Sequence, residues 1–111
     1  MLQAIPVARP AVASADELDA FLRSSADWRV EDGVLVRRAT APTFADGIHW
    51  VTQVAEVAER ADHHPDIDIR WRTVVFRLST HDAGGITVLD FALAHEIDDV
   101  VGREAESEPS A

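Results

Sequence analysis

The 111-residue sequence contains no cysteine. That excludes disulfides, thiolate metal sites and cysteine nucleophiles, and it permits a reducing compartment. Nowhere do about 18 apolar residues run together, so no membrane-spanning helix is expected. The N-terminal text M-L-Q-A-I-P-V-A-R-P lacks the basic start and apolar run of a secretory leader. Basic residues are scarce, 10 against 20 acidic ones, for a formal net charge of -10. Phosphate backbones and anionic lipid surfaces are bound chiefly through Lys and Arg, so neither nucleic acid nor a membrane is expected as a partner. A Gly-rich phosphate loop and a Ser/His/Asp nucleophile spacing are also missing. No internal repeat and no linker divides the chain. These absences predict a soluble, cytoplasmic protein.

What is present suits one compact unit, because a chain of this length can bury about two thirds of its unfolded surface without staples. Residues 1–13 are expected to be partly ordered and residues 14–102 to form a single domain. The polar, acidic tail R-E-A-E-S-E-P-S-A, 103–111, is expected to be disordered for want of large apolar side chains.

Within the domain the period of the apolar residues changes repeatedly. Ser14 and Glu17 stand in capping-box spacing ahead of Leu18, Phe21 and Leu22, which predicts a short amphipathic helix. Asp32-Gly33 between two β-prone runs predicts a hairpin of strands at about 28–31 and 34–38. Pro42 and Thr43 open a helix to about Ala61 whose apolar residues, from Phe44 and Ile48 to Ala58, fill half its circumference. So wide a face predicts burial against a sheet plus a further neighbour. Ile67, Ile69 and Trp71 then alternate with charged residues, as do Val74, Phe76 and Leu78 with theirs, so a second antiparallel pair is expected. Ala83-Gly84-Gly85 reads as a turn, and Thr87 with Asp90 starts a last helix that runs to about Val101 and stops at Gly102. The order α-β-β-α-β-β-α without a βαβ rhythm predicts an α+β fold, a four-stranded antiparallel sheet with three helices on one face. The other face and the sheet edges are left open, and a homodimer or homotetramer is expected.

The segment from Glu59 to Asp90 holds three of the five histidines. His63 and His64 precede Pro65, and His81 follows the run that ends in Ser79-Thr80. A hairpin between them would bring the two clusters together as one site. Three readings of the residues remain open. With Asp62 and Asp82 the histidines could ligate a metal, but adjacent histidines seldom point at one ion and the i,i+4 helical spacing is absent. They could be solvated loop residues. They could also move protons, since imidazole takes either protonation state near neutrality and several around one pocket can divide into acid and base. Asp90 has two readings of its own. At the third helical position it completes a capping box, and from the apolar face it could orient an imidazole.

The run His63-His64-Pro65, a hairpin, Leu78-Ser79-Thr80-His81, Ala83-Gly84 and Asp90 closely resembles the pterin-4a-carbinolamine (4a-hydroxytetrahydrobiopterin) dehydratases, over about Trp28 to Val101. The resemblance implies a hydro-lyase that removes water from 4a-hydroxytetrahydrobiopterin to give the quinonoid dihydropterin, recycling the cofactor of aromatic amino acid hydroxylases. It implies a small-molecule pterin substrate, no metal and no bound cofactor. His63, His64 and His81 match the family's active-site histidines, and Glu59 and Asp90 its accompanying carboxylates, with Pro65, Ser79 and Thr80 in support. The sequence departs from the vertebrate pattern at Ile67-Asp68, where an aromatic pair is usual, at Trp71, usually tyrosine, and at Val88-Leu89, usually charged. Two other functions stay open: a non-catalytic dimerisation or coactivator-type binding module, and an enzyme acting on another pterin such as a molybdopterin-related compound.

Overall fold

The computed structural model describes residues 10–102 and Ala105. The expectations for 1–9 and for the acidic tail other than Ala105 lie outside the described residues. Helix α1 (Ala15–Ser24) starts as its sequence dictates, with the Ser14 hydroxyl accepting the Glu17 N–H and the Glu17 carboxylate accepting the Ser14 N–H. Strands β1 (Trp28–Glu31) and β2 (Val34–Thr40) follow, joined at Asp32 and Gly33. Both turn residues have positive φ, 52° and 76°, the requirement that makes Asp-Gly the residue pair of choice for so tight a hairpin.

Helix α2 (Phe44–Ala61) is capped by the Thr43 hydroxyl, which accepts the Asp46 N–H. Strands β3 (Asp66–Arg70) and β4 (Thr73–Leu78) form the second hairpin, and α3 (Val88–Val101) closes the fold. The strands form one antiparallel sheet in the order β1-β2-β4-β3. Register fixes which side chains share a face. Leu35 pairs with Leu78, Arg37 with Phe76 and Ala39 with Val74, while Ile67 and Ile69 pair with Phe76 and Val74. Leu35, Ala39, Val74, Phe76 and Leu78 form one buried cluster with Phe21 of α1, Trp50 and Val54 of α2, and Leu93, Ile97 and Val101 of α3, with Ile67 and Ile69 half-buried against it, while Arg37 pairs with Asp98. All three helices therefore cover the same face, as expected. The other face carries ion pairs between Arg38 and Glu31 and between Arg77 and Asp68. Among the described residues no helix is long and apolar enough to cross a membrane.

One detail differs from the expectation. Trp71, read as an inward member of β3, lies beyond the strand's end. The Arg70–Thr73 register leaves only Trp71 and Arg72 for the turn, so Trp71 takes φ 54° and is 76% exposed. The apolar face of α2 is wider than this chain covers: Trp50, Val54 and Ala58 are buried, but Phe44 and Ile48 are 51% and 41% exposed.

Candidate active site

The site forms where α2 ends. Asp62 adopts the left-handed conformation, which short polar side chains tolerate best after glycine, and its N–H and that of His63 bond to the Glu59 and Ala58 carbonyls. The chain thus leaves the helix at His63. Pro65 cannot extend a helix and biases His64 toward extended backbone, so β3 begins at Asp66. The β3–β4 hairpin returns the chain to the same end of the sheet. There Thr80 bridges to Gly85, and a single 3-10 turn, His81–Ala83, ends on Gly84 at φ 80°, where a Cβ would be strained.

The hairpin brings the histidines together. His63, His64 and His81 line one open pocket of about 270 Å³ with Ser79, Thr80 and Leu89. Glu59 and Asp90 stand behind the histidines, each against a different one, and Pro65 shapes the backbone between His64 and β3. The two carboxylates are in unlike surroundings. Asp90 is fully buried. Its Oδ2 accepts the Thr80 hydroxyl at 2.8 Å and the Thr87 N–H at 2.9 Å, and its Oδ1 lies 2.6 Å from Nε2 of His63. A carboxylate only accepts, so the His63 Nε2–H donates and Nδ1 is the nitrogen left for other chemistry. Thr80 has one hydroxyl proton and gives it to Asp90, so in the 2.7 Å contact between the two threonines Thr87 is the donor. These donors offset the cost of burying a carboxylate. Glu59 instead bonds Nε2 of His64 at the surface, with side-chain exposures of 75% and 55%.

The two sequence readings of Asp90 are therefore both true at once: it completes the capping box of α3 and it holds an imidazole. The imidazole it holds is that of His63, from the far side of the hairpin, and not that of His81, which is nearer to it in sequence. Thr87 and Leu89 were missed as site residues. Thr87 was legible as a helix cap. Leu89 is an apolar residue off the buried stripe of α3, which is the available signal that it faces something else. Among the described residues no group of three or more His, Asp or Glu is arranged to hold a metal ion.

Comparison with known proteins bears on this arrangement. The family model described as pterin 4 alpha carbinolamine dehydratase matches residues 11–100. The chain belongs to that family. A provisionally named pterin-4-alpha-carbinolamine dehydratase of Mycobacterium sp. (strain JLS) is 54% identical over 93 residues, which are 84% of this chain and 99% of the relative. Among solved structures, a protein described as a transcriptional coactivator/pterin dehydratase from Brucella melitensis superposes with a TM-score of 0.79 at 27% identity, covering 82% of this chain and 99% of its own. A pterin dehydratase-like protein, described as a RuBisCO assembly factor in the alpha-carboxysome, reaches a TM-score of 0.56 at 20% identity over 68% of this chain and 87% of its own. That likeness is one of fold alone, and it illustrates how a shared fold serves different ends.

Proposed function

We propose that this protein removes water from 4a-hydroxytetrahydrobiopterin to give the quinonoid dihydropterin, returning the pterin cofactor of aromatic amino acid hydroxylases to use in the cytoplasm. The observation that carries the reading is the convergence of His63, His64 and His81 on one pocket, with His63 anchored on the buried Asp90. Family membership supports the reaction class.

The chemistry needs protons moved and no nucleophile. An acid protonates the 4a-hydroxyl, the C4a–O bond breaks, water leaves, and a base takes the proton from N5 as the C4a–N5 double bond forms. The acid's lost proton and the base's gained one are re-equilibrated through solvent. His63 suits the base: its Nε2–H is fixed on Asp90, and its Nδ1 is the ring nitrogen left to take a proton. His81, across the pocket on the 3-10 turn, is assigned as the acid, and His64 with Glu59 steadies the pterin ring. Each proton-transfer term is worth about 10²–10⁴ in rate, which suffices for a carbinolamine already disposed to lose water. The exposed Phe44 and Ile48 support assembly into a homodimer or homotetramer.

The test is to mix purified protein with freshly generated 4a-hydroxytetrahydropterin and follow dehydration by absorbance. Acceleration is expected. No acceleration would favour a second reading, a coactivator-type dimerisation module, which the description of the Brucella structure also names for that protein.

A further inference from the structure

His81 stands on a stretch of chain that the core does not hold. From His81 to Gly85 no residue is buried, and two of the five are glycine, the residue that loses most backbone freedom on being ordered. The feet of this turn are firmly placed. Thr80 and Ile86 are buried, the Thr80 N–H donates to the Gly85 carbonyl at 2.9 Å, and the Thr80 hydroxyl donates to Asp90. Between the feet, order is an entropic cost that contacts from outside the turn help to offset.

Such a contact comes from the residues ahead of α1. The Ala13 N–H donates to the Ile86 carbonyl at 2.8 Å, beside the Thr80–Gly85 bridge, and the capping box at Ser14 holds the next residue in place. Val12 lies against Gly85: a Cβ built on that glycine would stand 3.2 Å and 3.3 Å from the two Val12 methyl carbons. The tandem glycines are therefore there for different reasons. Gly84 has φ 80°, whereas Gly85 has no positive φ and is short of room for a side chain beside Val12. Val12 is 51% exposed and lies outside the buried cluster, so its contact with Gly85 serves the turn and not the core.

We propose that Val12 is a positioning residue for His81, bracing Gly85 and so fixing the turn that presents the imidazole to the pocket. The inference rests on the proposed reaction, in which His81 is the acid. The effect reaches the imidazole through the backbone: from Val12 to Gly85, across the bridge to Thr80, and along the chain to His81. A general acid must lie within hydrogen-bond reach of the oxygen it protonates, and a misplacement of about 1 Å can lower the rate by about 10²-fold. A slackened turn therefore shows first in kcat.

A double-mutant cycle between positions 12 and 85 tests this, with circular dichroism verifying the fold of each variant. Val12→Ala removes both methyls and should lower kcat for 4a-hydroxytetrahydropterin about tenfold while KM stays level. In the same variant the Thr80 amide proton should exchange about tenfold faster, with the amides of β2 and β4 at their wild-type rates, because the opening is local. Adding Gly85→Ala to Val12→Ala puts a methyl 3.9 Å from Cβ of residue 12, an ordinary contact, and should restore both readings. In the wild-type background the same Gly85→Ala change crowds Val12 and should lower kcat instead. Wild-type kcat in Val12→Ala, a Gly85→Ala effect of the same sign in both backgrounds, or faster exchange throughout the sheet would overturn the brace. If the exchange results are as stated but the wild type does not dehydrate the carbinolamine, the brace stands and the proposed reaction fails.

Discussion

Nε2 of His63 lies 2.6 Å from Oδ1 of Asp90, across 27 residues of sequence, while the other oxygen of the same carboxylate caps α3. One buried side chain thus fixes both the start of a helix and the orientation of an imidazole.

Asp90→Asn tests that double role. The amide oxygen can still accept the Thr87 N–H, which leaves the amide NH₂ facing His63. The ring must then accept at Nε2 and carry its proton on Nδ1, the nitrogen assigned to take the proton from N5. The helix survives but the base is disabled, so kcat for dehydration should fall by about 10²–10⁴ with circular dichroism unchanged. Near wild-type turnover in a folded Asp90→Asn protein would remove His63 from the role of base.

Glu59→Gln should behave differently, although the sequence pattern treats the two carboxylates alike. The Glu59–His64 pair is exposed on both sides, and such pairs contribute at most about 1 kcal/mol. The expected loss in kcat/KM is under about fivefold. A drop as large as that of Asp90→Asn would mean that this pair is desolvated when substrate is bound.

A stability prediction concerns the far end of the sheet. Asp98 of α3 accepts the Trp28 indole N–H at 2.9 Å and an Arg37 N–H, and Arg37 is only 6% exposed on the inward face of β2. Asp98→Ala leaves that guanidinium only its 3.7 Å pair with the exposed Asp27. Removing one member of a fully buried pair costs about 3–5 kcal/mol, and because the Asp98 side chain keeps 30% of its exposure the loss should be nearer about 2–3 kcal/mol, read from the urea midpoint. A loss below about 1 kcal/mol would mean that water reaches Arg37 unaided.

The elements read correctly from sequence are those set by local energetics. Ser14 with Glu17, Thr87 with Asp90 and the Asp32-Gly33 turn each satisfy their backbone groups within a few residues, so the pattern alone specifies them. What escaped depends on register or on distant parts of the chain. Trp71 continues the alternation of Ile67 and Ile69, and only the Arg70–Thr73 pairing puts it in the turn. The imidazole bound by Asp90 is decided by how the hairpin returns beside α2, which no spacing encodes. The convergence of the three histidines could be anticipated only from the hairpin between them, and the hydroxyl relay from Thr87 through Thr80 not at all.

Trp71 offers a check on that register. A large side chain at positive φ costs about 1–2 kcal/mol relative to residues that tolerate the left-handed region. Its exposed contact with the Arg72 guanidinium, 5.6 Å from the ring centroid, returns only about 0.5–1 kcal/mol. Trp71→Asn should leave the melting temperature unchanged or raise it. A loss above about 1.5 kcal/mol would contradict the turn.

The central claim is that imidazoles from both sides of the β3–β4 hairpin act on one substrate. Its most direct test is the rate of dehydration of 4a-hydroxytetrahydropterin by the wild type, His63→Ala and His81→Ala under single-turnover conditions. The account predicts that each substitution alone lowers the rate by about 10²–10⁴. Wild-type rates in both variants would contradict it.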